Sequence, residues 1–292
     1  MKIRHILYGL LGCAVLFTAC DNISEGDRLI AVEENPVTPP DSGETEKPVV
    51  IPRCVLVEEF SGQMCVNCPY GAAQLHELQS EYGADTLIVV TIHSGIQEGF
   101  GFHVSDGGLA TDEGEQLFAS QGRPAQPAMV VDRRGGAVAR DDASKPTDNS
   151  KKWLTAVVNA FKVSAVVKLD ATAAYNKESN QVQVKVDALS EDAMDCKLCV
   201  WIIEDNIVGF QKYPDKYDME YVHNNIFRKA VNPLNGDDVH LIGDMDSPTS
   251  REYSIALDES WNVQNLSVVA FVYDNTGVCQ TTRAKVDVPL AE

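Results

Sequence analysis

The sequence predicts an α/β half followed by an all-β half, and three observations carry that division. Residues 54–60 form an apolar run that reads as a buried strand, and a short turn then leads into Cys65-x-x-Cys68, where Ala72, Leu75 and Leu78 recur at helical spacing. A second run, Leu87-Ile-Val-Val-Thr-Ile92, suits a central parallel strand. Beyond residue 163 the apolar period changes from helical to alternating, which predicts strands without helices.

The chain begins with an export signal over residues 1–19. Lys2 and Arg4 form a basic region, and residues 6–19 are apolar but too short to span a bilayer. The run ends Leu16-Phe17-Thr18-Ala19-Cys20, which is similar to a bacterial lipobox, although Phe17 is bulkier than that pattern usually holds. The resemblance implies lipidation of Cys20, with acyl chains holding the protein to a lipid bilayer and no transmembrane helix needed. Residues 20–50 then read as an acidic, Pro-rich tether with too few large apolar residues to fold. The formal charge of −19, or −21 once Lys2 and Arg4 leave with the signal, argues against a nucleic-acid partner and against docking on anionic lipid.

Residues 51–163 make the α/β half. A CxxC at a strand-to-helix junction puts its first cysteine over unpaired backbone N–H groups and the positive end of the helix dipole, which favours the thiolate. The second cysteine lies one turn along, close enough for a disulfide. Glu59 stands in the apolar strand six positions before Cys65, and Gln126-Pro127-Ala128-Met129-Val130-Val131-Asp132 follows downstream. Together these residues resemble the thioredoxin superfamily. The resemblance implies catalytic roles for Cys65 and Cys68, a buried proton-handling carboxylate at Glu59 and a cis-proline at Pro127. Pro127 is preferred over Pro124 because the apolar run follows it at once. Met64 and the inner Val66-Asn67 depart from the better-known patterns. His93 ends the second strand, where ligands gather in open α/β sheets, so it is either a residue that tunes the dithiol or a surface histidine. A helix is expected over residues 112–119 and a last one over 150–163, with Trp153, Val157, Ala160 and Phe161 on one face.

Residues 164–292 carry about seven or eight short strands separated by turns such as Asn235-Gly236 and Asp274-Asn275-Thr276-Gly277, which suggests an immunoglobulin-like sandwich domain. Tyr221-Val222-His223-Asn224-Asn225 reads as a solvated edge strand or, second, as a contact surface. The run from Glu58 to Pro69, together with this later motif, is similar to the twenty-eight-kilodalton outer-membrane-protein family. Members of that family are lipoproteins of Bacteroidota that pair a thioredoxin-like domain with a β-rich one.

An exported chain meets an oxidising compartment, so bridges among Cys54, Cys196, Cys199 and Cys279 are plausible, with connectivity open. Cys196-x-x-Cys199 lies in a strand, where three extended residues span ~10 Å and alternate side chains face opposite ways, so it is not a second active site. Three functional classes follow. The first is a thiol–disulfide oxidoreductase of the outer membrane, on its periplasmic face or at the cell surface, acting on substrate proteins with thiols or disulfides. The second is a surface binding or adhesion lipoprotein, and the third is copper handling through Cys65, Cys68 and His93. No cofactor and no dedicated metal site are expected.

Overall fold

In the computed structural model, which describes residues 50–140 and 148–289, the alternation of side chains in the first strand sets the layers. Strand β1 (Val55–Ser61) is buried throughout, with Val55 and Val57 turned to one side and Leu56 and Phe60 to the other. Such two-sided burial belongs to a strand covered on both faces. Helix α1 (Cys68–Tyr82) leads to β2 (Leu87–His93), which runs parallel to β1 from Val55↔Leu87 to Ser61↔His93. Helix α2 (Asp112–Ser120) is capped by Thr111, whose hydroxyl accepts from the Gly114 N–H at 2.9 Å. Strands β3 (Ala128–Val131), antiparallel to β1, and β4 (Val138–Ala139) follow, and then α3 (Asp148–Ala160). Leu75 and Leu78 of α1 and Trp153 and Val157 of α3 cover the Val55 face, while Leu117 and Phe118 of α2 cover the Leu56 face.

Ten strands follow: β5 (Val167–Asn176), β6 (Gln181–Ser190), β7 (Ala193–Glu204), β8 (Ile207–Lys212), β9 (Tyr217–His223), β10 (Ile226–Ala230), β11 (Asp237–Ile242), β12 (Thr249–Ala256), β13 (Leu266–Asp274) and β14 (Gly277–Lys285). Among the described residues they join three sheets. The largest has nine strands in the order β14-β13-β7-β10-β2-β1-β3-β4, with β11 also on β7. The second is β12-β6-β5, and the third is the hairpin β8-β9.

This topology corrects the expectation of a sandwich standing apart. A two-layer β arrangement does exist: Cys196, Leu198, Val200 and Ile202 of β7 pack toward β5 and β6. The opposite face of β7, however, sends Cys199, Trp201 and Ile203 into one core with Leu56, Phe60 and Ile88 of the α/β half. β10 bridges the halves, pairing with β2 at Ile226↔Thr91 and with β7. The described residues therefore belong to a single compact unit. The change of period at 163/164 marks the passage from α3 to β5; one core lies wholly beyond it, and a second is shared across it. Sequence alternation reports which residues are buried, but not which partner buries them.

Candidate functional site

The site is built where β1 hands over to α1. The helix starts at Cys68 with Asn67 as its N-cap, no capping side chain, and Pro69 in its first turn, where a missing N–H costs no helical hydrogen bond. The Cys65 N–H donates to Gly62 O at 3.1 Å and the Cys68 N–H to Cys65 O at 3.3 Å. This tight turn brings the two Cα atoms to 5.4 Å, and the sulfurs are joined in a disulfide. The disulfide thus stands at the N-terminal end of α1, the positive end of the helix dipole.

Glu59 lies in β1 between Thr91 of β2 and Met129 of β3 and is 1 % exposed. The Thr91 hydroxyl donates to its Oε2 at 2.9 Å, while Oε1 has no partner. Burial disfavours the charged form and pushes the carboxyl up to about 7, against the opposing hydrogen bond from Thr91. The Gln126–Pro127 peptide is cis. Gly71 lets the first turn of α1 come down on both groups: a Cβ there would stand 3.0 Å from the Pro127 ring and 3.3 Å from Glu59 Oε1. Pro127, Glu59 and the head of α1 are thus brought together.

His93 is also brought in. It is 3 % exposed, and its Nδ1 is unpartnered. Its ring meets that of His223 edge-on at 5.2 Å, and His223 meets Tyr221 at 4.7 Å. Burial, then His223 and Arg228, hold His93 well below the usual imidazole range, and burial lowers His223 to about 4. Both rings are neutral near pH 7. Cys68, Thr91, His93, Tyr221 and His223 wall a cavity of about 30 Å³, room for one or two waters. Thr91 and Tyr221 also wall a neighbouring cavity of about 300 Å³ that reaches Glu59 and His76. A larger depression of about 510 Å³ on the outer side of the β12-β6-β5 sheet is lined by Thr172, Lys185 and Glu252 and has no buried orphan group.

Sequence reasoning missed the roof of this site. Tyr221 and His223 belong to β9, which among the described residues pairs only with β8, and both line the small cavity beside Cys68 rather than facing solvent as an edge. The polar motif Tyr221-Val222-His223-Asn224-Asn225 is the sequence signal for this roof. The bridges considered among Cys54, Cys196, Cys199 and Cys279 are absent: all four thiols are free, Cys54 half-buried and the others buried. Cys196 and Cys199 point into different cores, so they cannot meet. Among the described residues no helix is long and apolar enough to cross a membrane, and no group of three or more His, Cys, Asp or Glu side chains gathers to hold a metal ion. Cys20 and the export signal lie outside the described residues.

Fold and site together define a mixed α/β protein with a helix-head disulfide, a buried carboxyl against the first turn of that helix and a β-rich second half fused to the same sheet. The profile of the family described as outer membrane protein Omp28 matches residues 115–289, more than half of the chain, and the chain belongs to that family. Membership places it in the cell envelope. The match covers the β-rich half and the Tyr221 motif but begins after both cysteines of the disulfide. HBP35 of Porphyromonas gingivalis superposes with a TM-score of 0.60 at 16 % identity, covering 81 % of this chain and 76 % of that one, a likeness of fold alone. The ligand-binding region of serine-glutamate repeat protein A of Enterococcus faecium aligns over 42 % of this chain and 99 % of its own at 13 % identity, but its TM-score of 0.18 carries no argument. No curated protein matches the sequence.

Proposed function

We propose that the chain is a lipid-anchored thiol–disulfide oxidoreductase of the outer membrane, built on a thioredoxin-like half and tethered through acylated Cys20. The observation that supports this reading most is the Cys65–Cys68 disulfide at the head of α1, set over a carboxyl that titrates at about 7. In the reducing direction the Cys65 thiolate attacks one sulfur of a substrate disulfide. That bond breaks, and the leaving sulfur departs as a thiolate that takes up a proton. Cys68 then loses its proton and attacks Cys65 Sγ in the mixed disulfide, which re-forms Cys65–Cys68 and releases the second substrate thiolate. Two electrons pass from the dithiol to the substrate, and the reverse sequence oxidises a substrate dithiol. Glu59 is the acceptor for the Cys68 proton, and the linked cavities walled by Thr91 and Tyr221 give water room between them. A group that titrates near 7 is suited to take and return that proton at neutral pH.

A second reading, a surface binding lipoprotein on a thioredoxin-like scaffold, is favoured by the burial of Cys65, which is only 3 % exposed. One experiment separates the two. Cys68→Ala, expressed in its native envelope, is expected to accumulate mixed disulfides with exported proteins, and Cys65→Ala to remove them. If Cys68→Ala traps no partner in either the reduced or the oxidised cell envelope, the binding reading replaces catalysis.

A further inference from the structure

The turn carrying the disulfide is held from outside by an element that belongs to the other half of the chain. The Gln211 side-chain amide, 2 % exposed, donates to Gly62 O at 3.3 Å and to Cys65 O at 3.1 Å. The next residue repeats the link in its backbone, Lys212 N–H to Gln63 O at 2.8 Å, and Gln63 answers with its own amide to Phe210 O at 3.3 Å. Tyr213 meets Tyr70 of α1 edge-on at 6.2 Å. Three consecutive residues of β8 and its turn thus grip both sides of Cys65. An irregularity in the pairing between Gly209 and Gln211 shifts the register at this point, as bulges do where a side chain is re-aimed. On the opposite side the Met64 N–H donates to Phe100 O at 2.7 Å, so the cysteine turn is clasped between two segments.

We propose that Gln211 is a positioning residue for the Cys65–Cys68 bond, and that the β8–β9 hairpin selects which reactants reach it: small thiols readily, protein thiols only when the hairpin moves aside. Exchange requires the attacking sulfur to approach along the S–S axis, and at 3 % exposure Cys65 offers that approach to nothing the size of a folded chain. The hairpin is the element suited to move. Among the described residues it pairs with no other strand, and a two-stranded hairpin has little stability of its own. Its outer residues Val208, Tyr217 and Met219 are exposed, and Tyr217 stacks on Phe210 of the same hairpin. The consequence for substrates rests on the oxidoreductase reading; the barrier to access does not.

The test compares two reductants on the full mature chain. Dithiothreitol is the small one: its thiolate attacks Cys65 Sγ and displaces the Cys68 thiolate, and its second thiol closes the cyclic disulfide and frees Cys65, so two electrons enter the protein. A thiol-terminated polyethylene glycol of several kilodaltons, supplied in excess so that a second molecule completes the reduction, is the large one. Gln211→Ala is expected to speed reduction by the large thiol about ten-fold and by dithiothreitol only about two- to three-fold, since losing the Gln211 bonds to Gly62 O and Cys65 O shifts the opening equilibrium by about ten-fold. Alkylation of buried Cys199 should not change, which distinguishes hairpin release from general loosening. Tyr213→Ala, which leaves Gln211 in place, should act in the same direction and carries the test if Gln211→Ala does not fold. Equal acceleration of both reductants, or of neither, overturns the proposal. A wild-type chain that is reduced slowly by the large thiol yet traps no cellular partner through Cys68→Ala would sink the oxidoreductase reading while leaving the gate standing.

Discussion

The chain contains two Cys-x-x-Cys motifs, and they do opposite things. Cys65 and Cys68 stand where a strand turns into a helix, with Cα atoms 5.4 Å apart and sulfurs bonded. Cys196 and Cys199 stand inside β7, where three extended residues cover ~10 Å, and their thiols point into separate cores. The first pair faces the positive end of a helix, which favours a thiolate. The second is pushed the other way by burial, Cys196 up to about 11 and Cys199 up to about 12. Spacing in the sequence is the same in both; the backbone between the cysteines decides whether they form a disulfide or remain two buried free thiols.

The comparison breaks most visibly at the contact that keeps Cys199 buried. Arg133 reaches across from the turn after β3, donating Nε and Nη2 to the Glu58 carboxylate at 3.1 Å each. Its guanidinium lies 4.7 Å from the ring centres of Phe271 and Tyr273 and 5.4 Å from that of Trp201. Arg133→Met is expected to destabilise the protein by about 3–5 kcal/mol in urea unfolding, because Glu58 is then buried without a counter-charge. Native alkylation of Cys199 should rise with it. Adding Glu58→Gln should recover most of the loss. If Arg133→Met unfolds at the wild-type urea midpoint, this contact does not hold the halves together, and the inertness of Cys199 needs another cause.

A smaller effect concerns the carboxyl beside the disulfide-bearing helix head. Glu59 has a folded value of about 7 against an ordinary 4.5. Between those values the folded chain keeps a proton that the unfolded chain has lost, so stability from this group is complete below 4.5 and falls as pH rises through 7. The loss amounts to about 3 kcal/mol. His223 acts in the opposite sense: its folded value of about 4 lies below the ordinary 6.5, so stability is lost as pH falls from 6.5 toward 4. The two partly cancel in the wild type, and the informative quantity is the difference from Glu59→Gln. That variant should be more stable than the wild type by about 3 kcal/mol at pH 8 and equal to it at pH 4. A difference independent of pH would mean Glu59 is not buried as an acid.

How much of this was legible in the sequence follows the same distinction between local and distant causes. The closeness of Cys65 to Cys68 and the strand placement of Cys196 and Cys199 depend on residues within a few positions of one another, and pattern reading reached them; the buried carboxyl at Glu59 was implied by the resemblance. The cis bond at Pro127 came from a resemblance and not from pattern. The roof over the site was out of reach because Gln211, Tyr221 and His223 lie about 150 residues downstream of the turn they cover. An alternating strand such as β9 does not announce which surface its inward residues will meet. The fused sheet was missed for the same reason, since β10 joins β2 through a single register pair that leaves no mark on either strand.

The smallest effect tests the inert pair directly. Cys199→Ala removes one fully buried sulfur: Cys199 Sγ donates only weakly to Leu234 O at 3.7 Å, and a Cβ on Gly236 would stand 3.0 Å from it. Losing that sulfur should cost about 1 kcal/mol in thermal or urea unfolding, comparable to deleting one methyl group from a core. It should leave the rate at which dithiothreitol reduces Cys65–Cys68 within two-fold of wild type, because no atom of Cys199 faces the cavity that Cys68 lines. Peptide mapping of the alkylated, unreduced protein should find Cys54, Cys196 and Cys279 as free thiols in both forms. A bridge between any two of these in the wild type, or a large change in the reactivity of Cys65–Cys68 when Cys199 is removed, would show that the two motifs communicate and that burial alone does not separate them.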